Sequence, residues 1–212
     1  MNVRVRFAPS PTGGLHIGGL RTALFNYLFA KKNNGKFILR LEDTDRNRFV
    51  EGAEEYIVNA LNWAGLTPDE SPSAPGAFGP YRQSERKALY KDELEKLIAS
   101  GKAYYAFDTQ EELTAARNES EQKGEVFKYS VHNRRKFRNA VSLSKEELEN
   151  EINKGKGVVR LKVTDGERIV VKDKIRGEIQ INSNEIDDKI LMKADGMPTY
   201  HFANIVDDHH MQ

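Results

Sequence analysis

The chain has 212 residues, of which 38% are hydrophobic and 31% are charged, with a formal net charge of +1. This composition excludes an intrinsically disordered chain, and no apolar run approaches the roughly 20 residues that span a membrane. Cysteine is absent, which excludes a disulfide framework and a thiolate metal site and fits a reducing cytoplasm.

The first part of the chain alternates between strand and helix patterns. Residues 3–7 alternate apolar and polar side chains, and residues 8–14 contain prolines and glycines that exclude a helix. Apolar residues then recur at helical spacing from about 18 to 32. Residues 37–41 have the pattern of a buried strand, and a helix is predicted from about 52 to 64. This order predicts an α/β fold with a Rossmann-like parallel sheet.

The later elements differ in character. A Pro-, Gly- and Ser-rich loop is predicted over 66–80 and a helix over 84–100. Beyond Gly101, polar helices and short strands predict an inserted α+β domain, and residues 190–192 are predicted to rejoin the first sheet. Residues 144–147 have the sequence of a helix-capping box. We therefore expect three segments: 1–102, the insertion 103–190, and 191–212.

Two stretches are basic despite the small net charge, residues 1–22 and residues 123–138. Either stretch could meet a phosphate backbone, and a solvated basic face is the alternative. Two acidic stretches, 42–45 and 207–210, have metal-ligand residue types. Because adjacent residues seldom converge on one ion, we expect no metal site at either stretch.

The turn before the first helix contains His16, Gly18 and Gly19. Ligands of open α/β sheets bind where strands end and helices begin, and a helix N-terminus suits a phosphate. The glycines would let a phosphate approach the backbone closely, and His16 could donate a hydrogen bond to the charge developing on a triphosphate. A plain helix-starting turn is the alternative that these residues leave open.

Five sequence blocks follow one another along the chain: FAPSPTGGLHIG at 7–18, LFNY at 24–27, LRLEDTDR at 39–46, GPYRQSER at 79–86 and KADGMPTYHFANIVDDH at 193–209. In this order the blocks resemble the glutamate-specific class I aminoacyl-tRNA synthetases, and in particular the N-terminal catalytic half of the bacterial enzymes. Gly19 stands where many class I enzymes have a second histidine. One ATP contact is therefore missing or supplied by the backbone, as in other glutamate-specific members.

The resemblance implies ATP-dependent attachment of L-glutamate to the 3′ end of glutamate tRNA through a glutamyl-adenylate. ATP would enter with Mg²⁺, His16 would be catalytic, and ATP would contact Thr12, His16, Gly18 and Gly19. No zinc is expected. Residues 104–108 stand where the zinc-binding cysteines of some relatives begin, and none of them is a cysteine. We expect a cytoplasmic monomer whose partners are glutamate tRNA, L-glutamate and ATP, with no membrane association.

A carboxylate-binding pocket follows from residue chemistry. The guanidinium of Arg6 can bind a carboxylate through two charge-assisted bonds, and Glu42 after the second strand suits an ammonium. Glutamine would present a donor against one of those bonds. A surface arginine and an ordinary ion pair are the alternatives. By resemblance, the glutamate-binding positions are Arg6, Ala8, Ser10, Glu42, Tyr200 and Asn204.

The same resemblance assigns regions to tRNA and to the missing parts of the enzyme. Residues 1–102 and 191–212 would belong to the catalytic domain, and the insertion 103–190 would grip the acceptor stem. Contacts with tRNA are expected from Asp45, Arg48, Arg134 and Arg135. A lysine–serine loop and an anticodon-binding region would follow residue 212, so we expect a fragment that is nearly inactive alone.

Two other functions are compatible with these residues. A shorter synthetase paralogue glutamylates a modified tRNA base, although such relatives usually retain zinc-binding cysteines that this chain lacks. A non-catalytic tRNA-binding module is the second. The joint presence of Arg6, His16 and Glu42 argues against a module that has lost its catalytic activity.

Overall fold

The computed structural model describes residues 3–45, 48, 50–173 and 175–212. It divides into two compact units. The first comprises the chain up to Tyr90 together with Tyr200–Gln212, and the second comprises Lys91–Thr199. The second unit is therefore wider at both ends than the insertion expected at 103–190.

The regular elements follow one another in this order: β1 (Arg4–Phe7), α1 (Ile17–Lys32), β2 (Lys36–Leu39), α2 (Ala53–Trp63), α3 (Lys87–Ala99), β3 (Ala103–Ala106), α4 (Gln110–Gln122), α5 (Lys145–Asn153), β4 (Val158–Leu161), β5 (Arg168–Asp173), β6 (Gly177–Asn182), β7 (Ile190–Met192) and α6 (Tyr200–Met211). None of the helices in the described part of the chain is long and apolar enough to cross a membrane.

A parallel pair of strands forms the centre of the first unit. β1 and β2 run parallel, with Arg4 opposite Lys36 and Phe7 opposite Leu39. Phe37 and Leu39 are fully buried, because α1 and α2 cover the strands with their apolar residues. The predicted α/β fold with a parallel sheet is confirmed.

The second unit contains only antiparallel pairs among its described strands. β3, β4 and β7 form one sheet in the order β3-β4-β7, and β5 pairs with β6 as a separate hairpin. The prediction that residues 190–192 rejoin the first sheet is wrong, since Met192 lies opposite Val159 of β4. A three-residue apolar strand carries the signal of burial but no signal of which partner it pairs with.

The capping box predicted at residues 144–147 is confirmed at the start of α5. The Ser144 hydroxyl accepts from the main-chain N–H of Glu147, whose carboxylate accepts from the N–H of Ser144 at 2.9 Å. Thr109 and Glu112 form the same arrangement at the start of α4. Both helices therefore begin where a local side-chain bond satisfies their unpaired N–H groups.

Candidate active site

The turn between β1 and α1 is organised by His16. This residue caps α1, and its Nδ1 accepts a hydrogen bond from the N–H of Gly18 at 3.0 Å. Because Nδ1 accepts, the proton of the neutral ring lies on Nε2, and the exposed ring can donate to a ligand. A Cβ on Gly18 would lie 2.8 Å from Cε1 of His16, so a side chain there would displace the imidazole.

A cleft of about 360 Å³ opens beside this turn. Five of the predicted ligand-binding residues line it, namely Ser10, Thr12, His16, Gly19 and Arg48. Gly18, which is also predicted to bind ATP, does not line the cleft, and its N–H donates to Nδ1 of His16. Asp45 is connected to Arg48 through the backbone, because its carbonyl accepts from the N–H of Arg48 at 3.2 Å. Arg46, which ends the third sequence block, lies outside the described residues.

Main-chain hydrogen bonds bring the turn next to the end of β2. The N–H of Arg40 donates to the carbonyl of Phe7 at 3.1 Å, and the N–H of Glu42 donates to that of Pro9 at 3.0 Å. This continuation of the parallel pairing places Ala8 and Ser10 beside Glu42. The structure thus brings together residues that are more than 30 positions apart in sequence.

Arg6 does not point freely into solvent. Its Nε and Nη2 donate to the two carboxylate oxygens of Asp208, each at 2.9 Å, and Nη2 also donates to Oδ1 of Asn204 at 2.6 Å. Burial tends to raise the pKa of Asp208, but hydrogen bonds from Arg6 and Arg40 lower it below its ordinary value. Asp208 therefore stays ionised at neutral pH. No local pattern assigns Asp208 a role in the pocket, because its partners lie far away along the chain.

Arg40 connects the pocket to the interior of the unit. Its side chain is fully buried, and its Nη1 donates to Oδ1 of Asp208 at 2.8 Å. Its Nη2 lies 3.2 Å from Oδ1 of Asn204 and 3.3 Å from Oε1 of Glu42. Arg40 was missed from sequence, although an arginine inside an apolar strand is a usable signal, because a buried charge requires partners.

Glu42 is buried at 6% exposure beside Arg40. Burial raises the pKa of Glu42 above its ordinary value, although the charge and hydrogen bond of Arg40 oppose that shift. A second cation beside Glu42 would therefore stabilise its ionised form. This is the property expected of a residue that accepts a ligand ammonium.

Two more predicted residues meet on α6. Nδ2 of Asn204 donates to the hydroxyl oxygen of Tyr200 at 3.0 Å, while Oδ1 accepts from Arg6 and Arg40. The amide orientation of Asn204 is thereby fixed, and the half-exposed Tyr200 has its hydroxyl proton available for donation.

Asp207 fixes α6 in place. Its buried carboxylate accepts from Nε of Arg86 at 2.7 Å, from the hydroxyl of Tyr90 at 2.8 Å and from Nε2 of Gln83 at 2.8 Å. Among residues 3–45, 48, 50–173 and 175–212, no group of three or more His, Asp and Glu side chains is arranged to hold a metal ion. Asp207, the first of the metal-ligand residue types at 207–210, therefore has a structural role in this hydrogen-bond network.

The basic stretches divide between structural and exposed residues. Arg4 in the first stretch forms a fork with Glu70, at 2.8 Å for each bond. In the second stretch, Arg134 is only 4% exposed and pairs with the buried Asp188. A guanidinium buried in this way does not present its donors to a phosphate, which disfavours the tRNA contact predicted for Arg134. Arg135 is exposed, since the 3-10 turn at Arg134–Lys136 points successive side chains in different directions.

The parallel strands, the histidine-capped helix and the cleft between them define a Rossmann-like α/β domain with a site at the carboxyl ends of the strands. The family described as tRNA synthetases class I (E and Q), catalytic domain, matches residues 2–212, and the chain belongs to that family. The resemblance found in the sequence blocks is confirmed.

Among similar proteins are the glutamate–tRNA ligase of Christiangramia forsetii, 59% identical over 211 residues, and that of Flavobacterium johnsoniae, 57% identical over 211 residues. Each alignment covers 99% of this chain and 42% of the relative. The chain therefore spans less than half the length of these relatives.

Solved structures give the same result. A glutamate tRNA ligase from Elizabethkingia meningosepticum, crystallised in complex with its amino acid, superposes with a TM-score of 0.95 at 53% identity. The glutamate-tRNA synthetase of Elizabethkingia anophelis superposes with a TM-score of 0.96 at 53% identity. The matches cover all of this chain and 42% and 43% of the two relatives.

Proposed function

We propose that this chain supplies the glutamate- and ATP-binding part of an enzyme that attaches L-glutamate to the 3′ end of glutamate tRNA. The observation that carries the proposal is a hydrogen-bonded group of side chains that contains Arg6, Glu42 and Asn204. This group lies beside the turn in which His16 caps α1. A carboxylate partner and an ammonium partner thus lie next to a phosphate-binding type of turn.

Glutamate would bind in the pocket around Arg6. The guanidinium would hold the side-chain carboxylate of the substrate, and Glu42 would hold its ammonium. Ala8, Ser10, Tyr200 and Asn204 would complete the walls: the first two lie beside Glu42, and the last two are joined by a 3.0 Å hydrogen bond.

ATP, as its magnesium complex, would bind at the cleft lined by Thr12, His16 and Gly19, with Gly18 behind the imidazole. The α-carboxylate of glutamate would attack the α-phosphorus, forming glutamyl-adenylate and releasing pyrophosphate. His16 would donate from Nε2 to the charge that develops on the phosphates. The chain would accelerate the reaction by positioning and by electrostatic stabilisation, with no covalent enzyme intermediate.

Transfer of glutamate to tRNA completes the proposed reaction. Arg135 and the exposed basic side chains around it would contact the acceptor stem, and Asp45 and Arg48 would contact the terminal nucleotide. The proposed enzyme is a cytoplasmic monomer that binds no zinc. Identities of 52–59% to glutamate–tRNA ligases favour this function over glutamylation of a tRNA base and over a non-catalytic module.

Calorimetric titration with a non-hydrolysable glutamyl-adenylate analogue tests the proposal, with the glutaminyl analogue as the competing ligand. We expect binding of the glutamyl compound, weaker or no binding of the glutaminyl compound, and loss of binding in Arg6→Ala. The exposed Arg117 offers a matched control, because Arg117→Ala removes the same side chain from α4. Equal binding of the two analogues, or no binding by folded protein, would contradict the proposal.

A further inference from the structure

One edge of the Arg6 guanidinium, formed by Nε and Nη2, is already hydrogen-bonded, whereas Nη1 is available to a ligand. Nε and Nη2 donate to the carboxylate of Asp208, and Nη2 donates again to Asn204. Within the described ranges, Nη1 has no hydrogen-bond partner. A ligand carboxylate that approaches Arg6 therefore meets Nη1, provided that Asp208 keeps its place.

Arg40 is the reason that Asp208 keeps its place. Arg40 is fully buried, and the carboxylate of Asp208 is its 2.8 Å acceptor at Nη1. Without Asp208, the only other partner of that nitrogen in the described chain is the sulfur of Met211 at 3.8 Å. Because a buried charged donor is costly to leave without an acceptor, an arriving ligand carboxylate would add to the network and would not displace Asp208.

The same network orients the second open group of the pocket. Oδ1 of Asn204 accepts from both Arg6 and Arg40, which forces Nδ2 to face Tyr200. The Tyr200 oxygen is then used as an acceptor, and its proton remains for the ligand. Both open groups, Nη1 of Arg6 and the hydroxyl of Tyr200, are thus donors.

We propose that Asp208, held by the buried Arg40, is a positioning residue that makes the part of this pocket between Arg6 and Tyr200 present only donors and so determines its preference for a carboxylate over an amide. The inference rests on the proposed function, because it concerns the same amino-acid pocket. Asp208 acts through Arg6 and does not touch the ligand. An amide would turn its NH₂ group toward one of these donors and leave a buried hydrogen bond unmade.

The hold of Asp208 on Arg6, here called the clamp, can be tested without any ligand. The measurement is hydrogen exchange of the arginine Nε–H groups, followed by NMR in the 212-residue chain. The Arg6 signal is assigned by its disappearance in Arg6→Lys. We expect it to exchange slowly in the native chain and about tenfold faster or more in Asp208→Asn, which keeps the size of the side chain and loses the fork. Unchanged exchange in Asp208→Asn would overturn the proposal.

Two controls separate positioning from loss of structure. The Arg86 Nε–H, bonded to Asp207 at 2.7 Å, should keep its slow exchange in Asp208→Asn, which shows that α6 is still anchored. Glu55→Gln removes the same charge from an exposed position on α2 and should leave the Arg6 signal unchanged.

Calorimetry with the two adenylate analogues then tests specificity. We expect the ratio of the glutamyl to the glutaminyl association constant to fall about tenfold or more in Asp208→Asn and to stay constant in Glu55→Gln. A ratio unchanged in Asp208→Asn would overturn the inference and leave the proposed function standing. If the native chain binds neither analogue, the proposed function fails together with the preference assigned to Asp208, while the exchange data still decide whether the clamp exists.

Discussion

Each unit of the chain is built around one fully buried aspartate, and the two aspartates have similar partners. Asp207 in the first unit accepts from the hydroxyl of Tyr90 and from Arg86. Asp188 in the second unit accepts from the hydroxyl of Tyr104 at 2.6 Å and lies 3.0 Å from Nε of Arg134.

The networks differ in how they end. From Asp207, the charges continue through Arg40 to the half-exposed Asp208 and Arg6. The network of Asp188 closes on the main chain, because its Oδ1 accepts from the N–H of Val163 at 3.1 Å and Arg134 donates to the Val163 carbonyl at 2.7 Å.

A buried ion pair is therefore not by itself a sign of a functional site in this protein. Burial raises the pKa of the Asp188 carboxyl as well as that of Glu42, yet only the network of Glu42 continues to the half-exposed side chains of Asp208 and Arg6. The feature that distinguishes the candidate site is a network whose outer members still have donors to offer. In the second unit, Nη2 of the buried Arg134 donates to the Val163 carbonyl and to Asp188, both inside that unit.

The largest effects are expected from removing the two central carboxylates. Asp207→Ala and Asp188→Ala should each lower the free energy of unfolding by about 3–5 kcal/mol, because each leaves a buried arginine without its counter-ion. Urea unfolding followed by circular dichroism measures the loss. The exposed Asp92→Ala is the control and should leave the midpoint unchanged. A loss below about 1 kcal/mol in one unit would show that the two networks are not equivalent.

A different outcome is expected at the pocket. Glu42→Gln should weaken binding of the glutamyl-adenylate analogue about 10- to 100-fold, since the ligand ammonium loses its charged partner. Stability at pH 7 should not fall. The pKa of Glu42 is raised in the folded state, so its contribution to stability is present at low pH and is lost as pH rises through that pKa. Calorimetry and thermal unfolding give the two values, and a marked drop in Tm would make Glu42 a structural residue.

Two tyrosines allow a smaller matched comparison. Tyr104→Phe removes a buried donor to Asp188 and should cost about 1–2 kcal/mol of stability with no effect on ligand binding. Tyr200→Phe removes a half-exposed donor and should leave Tm unchanged, while the preference for the glutamyl analogue falls about fivefold to tenfold. If both variants changed stability and neither changed ligand binding, the two networks would not differ in function, although only one of them reaches half-exposed side chains.

The smallest effect concerns pH. Affinity for the glutamyl analogue should decline as pH falls through the raised pKa of Glu42, because the protonated carboxyl no longer neutralises the ammonium. In Glu42→Gln this decline should be absent, and the difference in stability between the variant and the native chain should shrink at low pH. Titrations at several pH values measure both curves. An identical decline in the variant would assign the pH effect to another group.

Several features could be predicted from sequence because they depend on neighbouring residues. The breaking of helix by residues 8–14, the apolar pattern of 37–41 and the capping box at 144–147 each lie within a few positions. The ordered blocks placed the chain in its family, and the family match confirms that placement.

Only the tertiary structure could decide which charges belong together. Arg6 and Asp208 are 202 positions apart, and no local pattern links them. Arg134 and Arg135 are adjacent and chemically alike, yet one is buried against Asp188 and the other is exposed. Hydrophobic period and backbone propensity determine where strands and helices form, whereas the pairing of a buried charge depends on which distant element packs over it. For that reason the local elements and the family were determined by the sequence, while the partners of Arg6, Arg40 and residues 190–192 were decided by the fold.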